Sequence, residues 1–294
     1  MRLTDRFDWG SRTYVMGILN VTPDSFSGDG LRVEAEGALD HAMAQARDFV
    51  DAGADILDVG GESTRPGSTP LGAEEEKARV LPVISALADE FPNLLISIDT
   101  FKSEVAAAAL DAGAHIVNDV WGLRADPDMG HMAAERGAPV ILMHNRSRPN
   151  ELIVDQLGGS YLGASYDDLL ADVAREMEAL AEAALAAGVA RDQIILDPGI
   201  GFGKTIQQNM ALINHIERFK ALGYPILSGP SRKSFIGRVL DLPPDQRVEG
   251  TAATIALSIV RGADIIRVHD TREMVRVARM MDAMLRADPA GDGA

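Results

Sequence analysis

The chain has 294 residues, 46% hydrophobic and 24% charged, with 28 Lys plus Arg against 44 Asp plus Glu and a net charge of −16. Such a composition suits a globular protein with a full core, and the acidic balance argues against a protein that coats nucleic acid or anionic membrane, which needs a basic face. Without cysteine there is no disulfide framework, thiolate metal site or cysteine nucleophile; the start, MRLTDRFDWGSR, has no apolar signal core, and no run of about 18 apolar residues exists, so a soluble, cytoplasmic protein is expected.

Eight short apolar runs follow in order: TYVMGILNV, ADILDVG, LLISIDT, HIVNDV, PVILMH, IILDPG, PILSGP and DIIRVH. They are apolar nearly throughout, as strands buried on both faces of a parallel sheet are. Segments of helical period separate them, among them 36–53, 73–91 and 166–188. The helix-to-strand joints repeat as AGADI, AGAHI, RGAPV and RGADI, with Gly placed to cap a helix in the left-handed conformation.

Eight such units in one chain predict an α/β fold, a (β/α)8 TIM barrel in a single domain over 1–294. Residues 1–13 and 287–294 read as peripheral termini. An open doubly wound sheet is the alternative. Residues 145–165 form the longest non-helical stretch and, following the fifth strand, are expected over the top of the barrel.

A barrel does its chemistry at the C-terminal ends of its strands, and the polar residues collect there. Strand one ends at Asn20, strand two brings Asp58, Glu62, Thr64 and Arg65, and strand three Asp99. Asn118 and Asp119, His144 and Asn145, Asp197, the Ser231-Arg232-Lys233 run, and Arg267, His269 and Asp270 follow. The opposite ends carry almost nothing comparable.

Asp99, Asn118 and Asp197 suit a heterocycle rich in N–H donors, and Lys233 suits its carbonyl or a ring nitrogen. Arg65, Arg267 and His269 form a cationic set suited to phosphate. Asn20 is a neutral oxygen ligand suited to a Mg2+ that already rides on phosphate oxygens. His144 and Asp119 serve equally well as structural links between strand ends. Lys102, Lys204 and Lys233 follow apolar runs, either by chance or to keep a local anion site. GIGFGKT at 199–205 fails the phosphate-loop spacing and the dinucleotide pattern; its glycines are expected to let backbone pass close to a flat ligand.

These blocks are similar to a known family. GILNVTPDSF, GGESTRPGSTP, ISIDTFK, IVNDVWG, LMHNR, ILDPGIGFGKT, SGPSRKSFIG and EGTAATIALSIVRGADIIRVHD resemble the dihydropteroate synthases, a pterin-binding family, from about residue 14 to residue 285. The resemblance implies a Mg2+-dependent folate-pathway transferase on a barrel. It would join (7,8-dihydropterin-6-yl)methyl diphosphate to p-aminobenzoate, giving 7,8-dihydropteroate and diphosphate.

Asp99, Asn118, Asp197 and Lys233 would then hold the pterin, with Asp99, Asp197 and Lys233 catalytic. Asn20 would ligate Mg2+, and Arg65, Arg267 and His269 would hold the diphosphate. Thr64, Arg65 and Pro66 lie on the second family loop and Phe26 on the first. Phe202 and Ser231 would border p-aminobenzoate, where sulfonamides would compete. A homodimer is also implied, through the last helices.

One departure stands out: the family's DSFSDGG reads DSFSGDG here, with Gly28 in place of an Asp and Asp29 after it. Two readings compete. Pterin-binding barrels that pass a methyl group to a corrinoid protein hold no diphosphate, so they do not account for the cationic set. A non-catalytic paralogue would bind pterin without turnover.

Overall fold

A computed structural model of the chain describes residues 2–21, 35–62, 71–147, 152–155, 158–161 and 164–287. Ten strands run in chain order as β1 Tyr14–Asn20, β2 Ile56–Gly60, β3 Leu95–Asp99, β4 Ile116–Asp119, β5 Val140–Met143, β6 Leu152–Asp155, β7 Gly158–Tyr161, β8 Ile194–Asp197, β9 Leu227–Ser228 and β10 Ile265–Val268. The helices are α1 Ala35–Ala52, α2 Ala73–Glu90, α3 Ser103–Asp111, α4 Met129–Glu135, α5 Leu169–Ala186, α6 Ile206–Asn214, α7 Ile216–Lys220, α8 Ser234–Leu240, α9 Val248–Val260 and α10 Thr271–Leu285.

Eight strands pair in parallel in the order β8-β5-β4-β3-β2-β1-β10-β9, and a bridge between Leu196 and Ile226 joins the two outer strands. The sheet therefore closes on itself, which excludes the doubly wound alternative. The four repeated joints carry Gly53, Gly113, Gly137 and Gly262 at positive φ, as left-handed helix caps require. The stretch 145–165 contains the antiparallel pair β6 and β7. Its end is tied to the turn after β8, where Ala164 N donates to Gly203 O at 2.9 Å.

The strand sequences look uniformly apolar because both faces are covered, but the pleat still sorts them by parity. Ile56, Leu95, Ile116, Ile141, Ile195, Leu227 and Ile265 pack with Met16 into one buried cluster inside the barrel. Their neighbours Leu57, Val59, Ile96, Ile98, Val117, Val140, Leu142, Ile194 and Leu196 pack outward against the helices. Each such side chain stabilises the fold by about 1.5–3 kcal/mol on burial.

One expectation needs correcting. Residues 2–13 are not peripheral: Leu3 and Phe7 join the inner cluster, and Leu3 N donates to Gln193 Oε1 at 3.0 Å. The segment closes the bottom of the barrel, because an interior lined by eight apolar strands needs an apolar cover at the end away from the site. That rim is also more polar than expected: Arg12 pairs with Asp55, and Asp282 accepts from both N and Oγ1 of Thr13. Residues 288–294 lie outside the described residues. Among the described residues no helix is long and apolar enough to cross a membrane.

Candidate active site

Two residues above the apolar floor the inner parity turns polar. In register, Asp58 lies beside Ser97, Gly60 beside Asp99, Asp99 beside Asn118, and Met143 beside Asp197. Asp58, Asp99, Asn118 and Asp197 are all buried. A buried polar layer is costly unless its members are partnered. Arg267 supplies most of the partnership here: its Nε donates to Asp58 Oδ2 and its Nη2 to Asp99 Oδ2, both at 2.6 Å. Asn118 Nδ2 donates to Asp58 Oδ2 at 3.0 Å. Among the described residues, Asp58 Oδ1 and Asp99 Oδ1 are buried with no hydrogen-bond partner.

Burial pushes the Asp99 carboxyl up to about 7, against the pull of Arg267. It lifts Asp197 to about 6, against the Gly199 N–H and the Lys233 charge. Both carboxyls therefore gain from a ligand that brings N–H donors, since such donors favour the ionised form. Lys233 acts on both, and its ammonium lies 4.1 Å from the centre of the Phe202 ring.

Ser231 and His269 meet as a pair. Ser231 Oγ accepts from His269 N at 3.1 Å and lies 3.1 Å from His269 Nδ1. The hydroxyl can give its proton to Nδ1 or accept from it, according to the imidazole tautomer. Arg232, at φ 55, is held by Asp270 through Nε at 2.9 Å. These contacts fix the turn that presents Ser231 and Lys233 ahead of α8.

Asn20 ends β1, half-buried, opposite Gly60. A Cβ on Gly60 would lie 3.6 Å from both Asn20 Oδ1 and Asp99 Cβ. The amide oxygen thus flanks the carboxylate group. Among the described residues no cluster of three His, Asp or Glu side chains could hold a metal on its own. A single neutral oxygen fits a Mg2+ whose other ligands come from water and a bound phosphate.

The structure thus brings together Asn20, Asp99, Asn118, Asp197, Phe202, Ser231, Lys233, Arg267 and His269 at one end of the barrel. Thr64, Arg65 and Pro66, together with Phe26, Gly28 and Asp29, lie outside the described residues. Three expectations change. Arg267 sits among the carboxylates rather than in a separate cationic group, because β10 places it on the inner parity beside Met16. Two of the glycines of 199–205, Gly199 and Gly203, are required by close approach to protein backbone. A Cβ on Gly199 would lie 1.8 Å from His144 O, and one on Gly203 2.6 Å from Ser147 N.

Two of the three lysines read as a possible anion site are also spent elsewhere. Lys102 pairs with Glu62 and Glu76, and Lys204 is enclosed by carbonyls and His144. His144 and Asp119 take the structural option: Nε2 of His144 meets Glu176 at 2.9 Å, and Asp119 accepts from Trp121 N and Leu123 N. Asp58, at the end of the second apolar run in the sequence, is a further member of the site that its residue type alone does not mark. Its inner parity with Ile56 and Gly60 is the signal that finds it.

The model of the pterin binding enzyme family matches residues 16–269. A dihydropteroate synthase from Bacillus subtilis is 50% identical over 274 residues, which is 93% of this chain and 89% of that relative. The chain belongs to the dihydropteroate synthases.

Solved structures of the family agree in fold as well as sequence. A dihydropteroate synthase from Clostridium difficile, determined in the presence of pteroic acid, has a TM-score of 0.85 and 47% identity, over 96% of this chain and all of that one. One from Xanthomonas albilineans with 4-aminobenzoic acid has a TM-score of 0.84 and 40% identity, over 94% of each chain. The activity is that of the family: a transferase that condenses the pterin diphosphate with p-aminobenzoate to give 7,8-dihydropteroate.

Proposed function

We propose that the inner polar layer is the pterin pocket of this dihydropteroate synthase. The observation that carries this is the convergence of Asp99, Asn118 and Asp197 on one inner face, with a buried Asp99 oxygen that has no partner among the described residues. A pterin carries an amino group and ring N–H donors that match such acceptors. Lys233, near both carboxylates, takes the ring carbonyl or a ring nitrogen. Phe202 and Ser231 border p-aminobenzoate.

The diphosphate falls to His269, to Arg267 and to Arg65, with Thr64 and Pro66 beside Arg65 on the second loop. Asn20 gives one oxygen to Mg2+, which when bound neutralises charge on the leaving diphosphate.

The chemistry follows from that placement. The methylene–oxygen bond to diphosphate breaks, a carbon–nitrogen bond forms to the aniline nitrogen, and that nitrogen gives up one proton. Positive charge building at the methylene spreads into the pterin ring, where Asp99 and Asp197 stand as counter-charges. His269 and Arg267 donate to the oxygens that become negative. A cation-like carbon needs no strong base to activate its nucleophile.

The last helices leave Val260 of α9 and Met280 and Met284 of α10 exposed. That face suits a homodimer. The same reading places the enzyme in the cytoplasm.

The test is diphosphate release by the purified protein with pterin diphosphate and Mg2+, with and without p-aminobenzoate. Release that depends on p-aminobenzoate and yields 7,8-dihydropteroate is expected. Tight pterin binding without release would favour the non-catalytic reading and direct attention to Gly28 and Asp29.

A further inference from the structure

Beneath the turn that carries Phe202 lies a buried lysine with no place in the reaction above. Lys204 is 5% exposed. Its ammonium has three donors and three acceptors around it: Gly199 O at 2.8 Å, Phe202 O at 3.0 Å and His144 Nδ1 at 3.2 Å. His144 is itself buried, and burial, with the Lys204 charge, drives its pKa down to about 3. The ring is therefore neutral. With Nδ1 accepting from Lys204, the ring proton sits on Nε2 and is donated to Glu176 at 2.9 Å. Glu176 also receives Nε of Arg146 at 3.0 Å. The chain of contacts runs from α5, through the exit of β5, into the turn after β8.

The cost of this arrangement is visible. Burial lowers the Lys204 pKa to about 7, although Asp197 and Glu176 pull it up; Lys233 and Arg146 add to the lowering. A methionine would fill a similar volume without removing a charge from water. What methionine lacks is the ability to clamp two carbonyls of one turn. Those carbonyls belong to Gly199 and Phe202, at the two ends of a stretch whose Gly199, Gly201 and Gly203 all have positive φ. Ile200, buried against Ile213, Phe235 and Ile236, anchors one side of the turn, Asn209 Oδ1 accepts from Gly201 N at 2.6 Å, and the Lys204 ammonium ties the carbonyls on the other side.

The turn in turn holds groups of the site. A Cβ on Gly201 would lie 2.8 Å from Lys233 Cδ, so the Lys233 stem rests on bare backbone there. The Lys233 ammonium then sits over the Phe202 ring.

We propose that Lys204, backed by His144 and Glu176, is a positioning residue for the p-aminobenzoate half of the reaction, fixing Phe202 by clamping the carbonyls of its turn. This rests on the reading that Phe202 borders p-aminobenzoate.

The test uses Lys204→Met, Phe202→Leu and the double variant, with steady-state kinetics in both substrates and equilibrium binding of 6-hydroxymethylpterin. Lys204→Met is expected to raise KM for p-aminobenzoate about tenfold to a hundredfold, as small misplacements of a substrate contact do. Pterin affinity should change far less, and the double variant should match Phe202→Leu, because Lys204 acts through Phe202. If Lys204→Met does not fold, Lys204→Gln, which keeps two donors, takes its place with a smaller rise in KM and the same non-additivity.

Equal losses for both substrates, full additivity with Phe202→Leu, or no change in KM would overturn the proposal. If Phe202→Leu itself leaves KM for p-aminobenzoate unchanged, the placement of that substrate is what fails. If Phe202→Leu raises KM and neither Lys204 variant does, the placement stands and the positioning role fails.

Discussion

Arg267→Ala is expected to destabilise the protein by about 3–5 kcal/mol at about pH 8, the range for removing one partner of a buried ion pair. The guanidinium bonds both Asp58 and Asp99, and Asp58 is fully buried. Without it, two carboxylates of the inner layer lose their shared cation. A proton can replace the missing charge, so the deficit should shrink towards about pH 5.5. The sign follows from linkage: where the native Asp99 carboxyl, raised by burial, binds its proton more tightly than the unfolded one, stability falls as pH rises. Urea unfolding at the two pH values reads this out. Binding of the diphosphate ester should weaken more than binding of p-aminobenzoate. A pH-independent loss under about 1 kcal/mol would show that Asp58 and Asp99 do not depend on Arg267.

Asp197→Asn should separate stability from function in the opposite sense. Burial raises the wild-type carboxyl from 3.8 to about 6, which corresponds to roughly 3 kcal/mol against the free fold above that pH. The amide removes this penalty and keeps an oxygen that can accept from Gly199 N, as Asp197 does at 2.7 Å. The variant is therefore expected to unfold at higher urea than wild type at about pH 8. Near pH 4, where the wild-type carboxyl is protonated in the native state, the advantage should vanish. Turnover should drop roughly 10- to 150-fold, equivalent to the 1.5–3 kcal/mol of a charge-assisted hydrogen bond. Near-normal turnover would remove Asp197 from the site.

Much of this was legible from residue types alone. Strands ending in Asp99, Asn118, Asp197 and Arg267 can be read because a parallel barrel puts its chemistry at strand exits, and the repeated glycine joints mark where each strand begins. Three features were not legible, each for a physical reason. Asp58 lies inside β2 between apolar neighbours, and only the parity it shares with Ile56 assigns it to the inner layer.

Leu3 and Phe7 belong to a segment too short for a periodic signal, so their place under the barrel depends on contacts with residues far along the chain. Lys204 follows a glycine-rich turn and therefore resembles an anion-binding lysine. Its true partners, two backbone carbonyls and the neutral His144, leave no pattern of residue types to find.

If the buried carboxylates accept hydrogen bonds from the pterin, binding is linked to a proton that can be counted. In the free protein burial pushes the Asp197 carboxyl up to about 6 and the Asp99 carboxyl up to about 7. N–H donors from a bound pterin favour the ionised carboxylates and must expel any proton found there. Calorimetry of 6-hydroxymethylpterin binding, in two buffers of different ionisation heat, counts the protons released. At pH 5.5 net proton release is expected on binding, with contributions from Asp197 and Asp99, the Asp197 share lost in Asp197→Asn, and release fading towards about pH 8. Binding at pH 5.5 with no proton released, or with proton uptake that persists in Asp197→Asn, would contradict it.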